Sequence, residues 1–165
     1  MKPSKTISRH LRVTKKNRIA LSGVSPSQTL LLAALLAKFL KPSDIVLLFG
    51  EIGSGKTFFT RGVIQKMMQS QNVMIEEIPS PTFTIVQIYD TLSPSVWHLD
   101  LYRLENQQEL LQLGVEDTIQ NDIYFIEWPE KLGAFTPRRN ISIKFEYSGS
   151  KYESRNICIE FHGSN

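Results

Sequence analysis

The stretch "GEIGSGKT" at residues 50–57 decides the fold. It has the spacing G-x-x-x-x-G-K-[ST], in which the fixed positions are Gly50, Gly55, Lys56 and Thr57. Glycines allow several backbone N–H groups to turn toward one point, because a residue without Cβ adopts unusual φ values. A helix that begins at the end of the stretch adds unpaired N–H donors and the positive end of its dipole. The stretch therefore predicts a loop that binds nucleotide phosphates.

The segments on both sides of this loop have the patterns that such a site requires. Before it comes "DIVLLFG" at residues 44–50, a continuous apolar run typical of a strand buried on both faces of a parallel sheet. After it comes "KTFFTRGVIQKMMQ", which has helical spacing with Phe59, Val63 and Met67 on one face. A glycine-rich turn without a ligand is the alternative, and the order strand, loop, helix argues against it.

Other patterns along the chain predict an α/β fold. One helix is indicated by "SPSQTLLLAALLAKFLKPSD", with Ser25 as N-cap, Pro26 at the first helical position and Gln28 completing a capping box. Candidate strands are "FTIVQIYD", "SVWHLD", "IYFIEW", "ISIKFEY" and "RNICIEF", and the last two flank a polar turn. We expect a three-layer P-loop nucleotide-binding fold: a mostly parallel central sheet, antiparallel edge strands and a C-terminal hairpin.

Basic residues are concentrated at the N-terminus. Residues 1–43 contain nine Lys or Arg and no acidic residue, whereas residues 44–165 contain ten basic and sixteen acidic side chains. We therefore expect residues 1–18 to be a flexible basic arm and residues 19–165 to be a single domain. An arm that contacts RNA and an organelle-targeting presequence are the alternatives.

Cysteine usage and hydropathy limit the class of protein. The one cysteine, Cys158, has no disulfide partner and lies in the alternating run "NICIEF", which favours a half-buried strand residue in a reducing compartment. The longest apolar run, at residues 30–40, is too short for a membrane span and contains Lys38. The N-terminus lacks the apolar core of a secretory signal, so we expect a soluble intracellular protein.

Two acidic residues follow apolar runs, where the ends of parallel strands place functional groups. Glu127 in "IYFIEWPE" is placed to hold Mg²⁺ directly or through water, and a strand-terminal Glu without function is the alternative. Asp100 in "HLDLYR" is placed to orient a water molecule or to join the metal shell. His98 is either a structural histidine or a site residue, and Arg103 either stabilises γ-phosphate charge or pairs with a local carboxylate.

A cluster of hydroxyl groups precedes one candidate strand. The segment "SPTFT" at residues 80–84 places Thr82 or Thr84 as a switch residue that senses the γ-phosphate and Mg²⁺. A turn opened by Ser80 and Pro81 is the alternative.

The chain contains four segments in a fixed order: "GEIGSGKT", "SPTFT", "HLDLYR" and "IEWPE". This ordered set resembles the pattern of the TsaE family, formerly called YjeE. Its members are small bacterial P-loop ATPases needed to make threonylcarbamoyladenosine in tRNA. The resemblance covers about residues 19–160 and leaves out the basic arm. It implies a cytoplasmic, slowly hydrolysing ATPase that uses ATP and Mg²⁺ and acts on the transferase complex of TsaD and TsaB, with tRNA involved indirectly.

The resemblance also assigns roles to residues of this chain. Thr57 and Glu127 would hold Mg²⁺, and Thr82 or Thr84 would line the γ-phosphate together with Asp100. Trp128 follows the metal-binding Glu in the family pattern, and edge packing is its expected role. The implied catalytic residues are Lys56, Thr82, Asp100 and Glu127. The implied nucleotide-binding residues are Ile52, Gly53, Ser54, Gly55, Lys56 and Thr57, with Ser27, Gln28 and Lys151 near the base.

Three other functions remain open at this point. A small-molecule kinase shares the phosphate loop, but the chain lacks the arginine-dense segment expected of its acceptor lid. A GTPase normally carries an N-K-x-D guanine reader, which this sequence does not contain. A scaffold protein that binds nucleotide for stability without hydrolysis is the third alternative.

Overall fold

The computed structural model describes residues 11–15, 17–106, 108–114, 118–149 and 151–163. Within them the α-helices are α1 (Pro26–Leu36), α2 (Lys56–Ser70) and α3 (Gln108–Gln112), and a 3₁₀ segment spans Pro129–Phe135. The strands are β1 (Leu11–Lys15), β2 (Arg18–Val24), β3 (Ile45–Phe49), β4 (Val86–Tyr89), β5 (Val96–Asp100), β6 (Ile123–Glu127), β7 (Asn140–Ser148) and β8 (Lys151–His162). Among the described helices, none has the length and apolar character needed to span a bilayer.

The eight described strands form one sheet in the order β1-β2-β8-β7-β3-β6-β5-β4. The central strands β7, β3, β6 and β5 are parallel to one another. Towards the edges the pairing is antiparallel, between β1 and β2, β2 and β8, β8 and β7, and β5 and β4. This arrangement confirms the predicted parallel centre, the antiparallel edges and the C-terminal hairpin, which is β7 and β8. Cys158 is half-buried within β8, as predicted.

Strand β3 is apolar at every position because both of its faces are covered. Val46 and Leu48 belong to the core under α1 and α2, whereas Ile45 and Leu47 belong to a second core under α3 and the 3₁₀ segment. Burial of aliphatic side chains on two faces stabilises such a strand by roughly 1.5 to 3 kcal/mol per side chain. Helices on both faces of the sheet give the predicted three layers.

The start of α1 has the capping box that the sequence predicts. The backbone N–H of Gln28 donates to the Ser25 hydroxyl at 3.3 Å, and the Ser25 N–H donates to the Gln28 side-chain oxygen at 2.9 Å. Pro26 occupies the first turn, where its missing N–H costs no intrahelical bond. These contacts fix the start of α1 next to β2.

Part of the predicted flexible arm is a strand of the sheet. β1 pairs antiparallel with β2, with Leu11 opposite Leu21 and Val13 opposite Ile19. The charge of residues 11–15 favours an arm, but "LRVTK" also alternates apolar and polar residues, which is the period of a strand. Residues 1–10 and 16 lie outside the described part of the chain.

The parallel pairing places the functional candidates at one edge of the sheet. Leu48, next to the end of β3, is opposite Glu127 at the end of β6, and Glu127 is opposite Asp100 at the end of β5. Because carboxyl ends of adjacent parallel strands lie side by side, the loop after β3 and both carboxylates meet at this edge.

Candidate nucleotide-phosphate site

The loop at residues 50–55 depends on three glycines, of which Gly50 and Gly55 are fixed by the pattern and Gly53 is additional. Gly50, Gly53 and Gly55 have φ values of 141°, 74° and 112°. A Cβ atom at Gly50 would lie 2.6 Å from the main-chain oxygen of Phe145, closer than atoms in contact can approach. Gly55 is the N-cap of α2 and carries no side chain to occupy the helix end, so the first N–H groups of α2 remain available to an external anion.

Two side chains of the C-terminal hairpin hold the outer side of this loop. The Tyr147 hydroxyl donates to the carbonyl of Ile52 at 3.1 Å. Arg155 donates from Nη2 to the carbonyl of Gly53 at 3.2 Å and from Nε to that of Ser54 at 2.8 Å. The Arg155 guanidinium also stacks on the Tyr147 ring, 4.3 Å from its centroid.

These contacts set the direction of the loop's amides. In a planar trans peptide, a carbonyl and the following N–H point in opposite directions. Carbonyls of Ile52 and Ser54 that point toward the hairpin therefore turn the N–H groups of Gly53 and Gly55 away from it. The hairpin thus preorganises the loop for an anion on the opposite side.

The Lys56 side chain folds back along the loop. Its Nζ donates to the carbonyls of Gly50 at 2.6 Å and Glu51 at 3.0 Å, and it lies 4.1 Å from the centroid of the Trp128 ring. Only 5% of the residue is exposed. Trp128 also packs against Tyr102, as an edge-packing role predicts, and in addition its ring contacts the Lys56 ammonium.

Two opposing effects act on the Lys56 ammonium. Burial lowers its pKa below the ordinary lysine value, and the negative charges of Glu127, Asp100 and Glu130 oppose that shift. Removal from water disfavours the charged form of Lys56, and the three nearby carboxylates compensate only in part. A bound polyanion would therefore stabilise the ammonium further.

Glu127 is held between two donors. The Thr57 hydroxyl lies 2.8 Å from Oε1 and 3.0 Å from Oε2 of this carboxylate, and His98 Nε2 lies 2.8 Å from Oε1. Glu127 is 2% exposed. The Thr57 hydroxyl lies at the start of α2, and the buried Glu127 carboxylate lies at the end of a strand. Sites that bind Mg²⁺ and phosphate use this pair of oxygen ligands.

Asp100 holds the segment "SPTFT" at residues 80–84 through Thr82. The Thr82 hydroxyl donates to Oδ2 at 2.5 Å, and the Tyr102 N–H donates to Oδ1 at 3.0 Å. Of the two predicted switch residues, Thr82 therefore reaches the site, whereas Thr84 is exposed. Arg103 lies outside the site, with its guanidinium 4.1 Å from the centroid of the exposed Phe83 ring.

A cavity of about 350 Å³ brings most of the predicted residues together. Its lining comprises Ile52, Gly53, Gly55, Lys56, Thr57, Phe58, Ser80, Thr82, Asp100, Tyr102, Glu127 and Trp128. Every predicted catalytic residue and both predicted metal ligands are in this set. The residues that sequence analysis missed here are Phe58, Ser80 and Tyr102.

A second cavity of about 210 Å³ adjoins the loop on the side of α1 and β8. Pro26, Thr29, Glu153 and Arg155 line it together with Ser54. Two of the predicted base contacts lie at the start of α1: the Gln28 side chain takes part in the capping box, and the Ser27 hydroxyl lies 3.0 Å from that of Ser25. The third predicted contact is Lys151, whose side chain lies outside the described residues. Contacts of Ser27, Gln28 and Lys151 with the base therefore stay predictions.

The donors at the main cavity fit a magnesium ion. Thr57 supplies a hydroxyl, while Glu127 and Asp100 supply carboxylates, and oxygen ligands of this kind suit Mg²⁺. The described residues contain no group of three or more His, Cys, Asp or Glu side chains that could enclose a metal ion. Mg²⁺ commonly binds through one or two carboxylates while retaining water and substrate phosphates as ligands, so this donor set is sufficient.

The family model for the threonylcarbamoyl adenosine biosynthesis protein TsaE matches residues 24–157. The chain belongs to the TsaE family. The match runs from the end of β2 into β8 and includes the whole phosphate loop and both carboxylates.

Relatives in several bacteria are named as TsaE-family tRNA threonylcarbamoyladenosine biosynthesis proteins. The Rickettsia bellii protein is 34% identical over 83% of this chain and 92% of its own length. The Bacillus subtilis protein is 32% identical over 76% of each chain. The Rickettsia felis protein is 44% identical over 62% of this chain, and that match spans only 58% of the relative's length.

A solved structure supports the architecture. The crystal structure of Bacillus subtilis YdiB superposes with a TM-score of 0.70 at 25% sequence identity. The superposition covers 93% of this chain and 88% of YdiB. The likeness therefore extends beyond the phosphate loop to the sheet and its flanking helices.

Sequence reasoning missed the two hairpin residues that hold the loop. Tyr147 and Arg155 are direct partners across β7 and β8, which explains why their side chains stack. The sequence signal for them is weak: two strands flank the turn "SGSKYES", and their register decides which side chains meet.

Proposed function

We propose that this TsaE-family chain binds ATP with Mg²⁺ in the 350 Å³ cavity and hydrolyses it slowly. In this proposal it is a cytoplasmic accessory protein for threonylcarbamoyladenosine formation in tRNA, and it acts on the TsaD–TsaB complex. One observation carries the proposal: the glycine loop, Lys56 and the Thr57–Glu127 pair converge on a single cavity.

Each group has a defined task in this reaction. The N–H groups of the loop and of the first turn of α2 bind the phosphates, and Lys56 leaves the carbonyls of Gly50 and Glu51 to contact the terminal phosphates. Thr57 and Glu127 would hold Mg²⁺, which neutralises charge on the phosphate oxygens when bound. Asp100, fixed by Thr82, accepts a hydrogen bond from the attacking water.

The charge balance of the cavity supports slow hydrolysis. Of the described side chains that line it, Lys56 is the only cation. In related phosphoryl-transfer reactions an arginine directed at the γ-phosphate contributes roughly 10³- to 10⁵-fold in rate. Arg103 stacks on Phe83 instead, so a rearrangement or a partner is required for fast turnover.

The small-molecule kinase alternative lacks a supporting observation. Its acceptor site would require basic side chains near the phosphates, and the described lining contains none besides Lys56. The family match and the named relatives point to tRNA modification.

Phosphate release by the purified protein, with and without the TsaD–TsaB complex, tests the proposal. We expect slow release alone and faster release with the complex. Mass-spectrometric quantification of threonylcarbamoyladenosine after depletion of the protein in its host should show a loss of the modified base. Fast release that the complex does not change, with normal levels of the modified base, would contradict the accessory role.

The hairpin contacts give a separate prediction about affinity. Arg155→Met should weaken ATP binding by up to about 30-fold, because two hydrogen bonds of roughly 1 kcal/mol each no longer orient the loop. Tyr147→Phe removes one bond but keeps the ring, so its effect should be smaller. Equilibrium binding of a fluorescent ATP analogue measures both.

The exposed Arg138, two residues before the start of β7, provides a matched control. Arg138→Met should leave ATP affinity unchanged. If folded Arg155→Met protein binds ATP as tightly as wild type, the hairpin has no role in orienting the loop.

A further inference from the structure

His98 is completely buried at the centre of the site, although the proposed reaction does not assign it a role. Its residue exposure is 0%, and its Nε2 lies 2.8 Å from Oε1 of Glu127. In the parallel pairing of β5 and β6, His98 is opposite Phe125, two residues before Glu127. Side chains two residues apart on a strand share a face, so the imidazole reaches diagonally to the carboxylate.

The oxygen that His98 contacts also accepts a hydrogen bond from Thr57. The Thr57 hydroxyl approaches Oε1 from α2 at 2.8 Å, while His98 approaches it from β5. The two contacts come from different layers of the fold and restrict rotation of the carboxylate. A buried carboxylate requires such donors, because its charge has lost water.

The second imidazole nitrogen identifies the tautomer. Nδ1 of His98 is buried and has no hydrogen-bond partner among the described residues. A carboxylate accepts hydrogen bonds, so the proton belongs on Nε2, and a proton on Nδ1 as well would leave a buried N–H unpaired. His98 therefore donates to Glu127 through Nε2.

We propose that His98 is a positioning residue that orients the Glu127 carboxylate toward the Mg²⁺–ATP complex. The inference rests on the proposed function of the site. Residues that hydrogen-bond to metal-binding side chains fix their orientation, and loss of such a partner typically costs about 10- to 100-fold in metal affinity or activity.

A pair of amide variants tests this role. Glutamine places an amide N–H₂ group near the position of Nε2, whereas the shorter asparagine places it near Nδ1, out of reach of Glu127. His98→Gln should keep the increase in ATP affinity that Mg²⁺ causes. His98→Asn should reduce that increase about 10- to 100-fold and leave ATP affinity in EDTA unchanged. Fluorescence titration with an ATP analogue, with Mg²⁺ and with EDTA, measures each value.

Other outcomes of the titration overturn the inference. Equal Mg²⁺ responses in wild type and His98→Asn would show that Glu127 needs no second donor. A loss of ATP affinity in EDTA that equals the loss in Mg²⁺ would show a structural role alone. Wild-type protein that binds no ATP in either buffer would instead contradict the proposed function.

A measurement on the wild-type protein keeps the test decisive if a variant fails to fold. The ¹⁵N chemical shifts of His98 in the ligand-free protein should show a protonated Nε2 and an unprotonated Nδ1. The opposite tautomer would overturn the proposal, since Nε2 would then be unable to donate to Glu127.

Discussion

Lys56→Ala is expected to weaken ATP binding by about 100-fold or more. A hydrogen bond to a charged group contributes roughly 1.5 to 3 kcal/mol, and a tenfold change in affinity corresponds to about 1.4 kcal/mol. An ammonium that makes two such bonds to the terminal phosphates therefore accounts for at least this factor. Isothermal titration with ATP and Mg²⁺ measures the loss directly.

The fold should tolerate this substitution. In the ligand-free protein Lys56 Nζ bonds to the carbonyls of the half-buried Gly50 and the exposed Glu51, so we expect water to replace it. Burial lowers the pKa of the ammonium, so the charged form is disfavoured in the folded protein. We therefore expect cooperative unfolding to persist in the variant.

Lys66→Ala provides a matched control on the same helix. Lys66 bonds to Gln69 on the exposed face of α2 and does not line the main cavity. ATP affinity should be unchanged in this variant. A host strain carrying only Lys56→Ala should lose threonylcarbamoyladenosine from its tRNA. Wild-type ATP affinity and undiminished modified base in that strain would together exclude a role of Lys56 in phosphate binding.

Local sequence patterns predicted most of the phosphate site. The loop and β3 could be identified because glycine spacing and a continuous apolar run are properties of contiguous residues. Glu127 and Asp100 required one further rule, that the ends of parallel strands lie together, and β5 and β6 obey it. The three layers follow from the same patterns.

Contacts that depend on register or on packing between elements could not be predicted. Tyr147 and Arg155 hold the loop only because β7 and β8 pair in one particular register, and a shift by one residue would place their side chains on opposite faces of the hairpin. The sequence does not decide between a structural and a functional role for His98, because its bond to Glu127 spans two strands. β1 was missed because its basic charge obscured its alternating pattern.

Glu127→Gln is expected to lower ATP turnover by about 100-fold or more while ATP binding in EDTA persists. The amide keeps the shape of the side chain but removes a negative charge beside the expected cation. At about 4 Å such a charge contributes roughly 4 kcal/mol with an effective dielectric constant near 20. Thr57 also loses its charged acceptor, so the Mg²⁺ ligands are less well oriented. Phosphate release at saturating ATP, in the presence of the TsaD–TsaB complex, measures turnover. Titration with ATP in EDTA measures binding separately.

Glu130→Gln distinguishes a specific role of Glu127 from a general change in charge. Both carboxylates raise the pKa of Lys56, but Glu130 is exposed and lies in the 3₁₀ segment after β6. If the local negative charge alone supported hydrolysis, the two variants would lose similar fractions of activity. The hydrogen bonds of Thr57 and His98 to Glu127 lead us to expect a loss in Glu127→Gln only. Normal turnover in Glu127→Gln would restrict this carboxylate to a structural role and remove the basis for placing Mg²⁺ beside it.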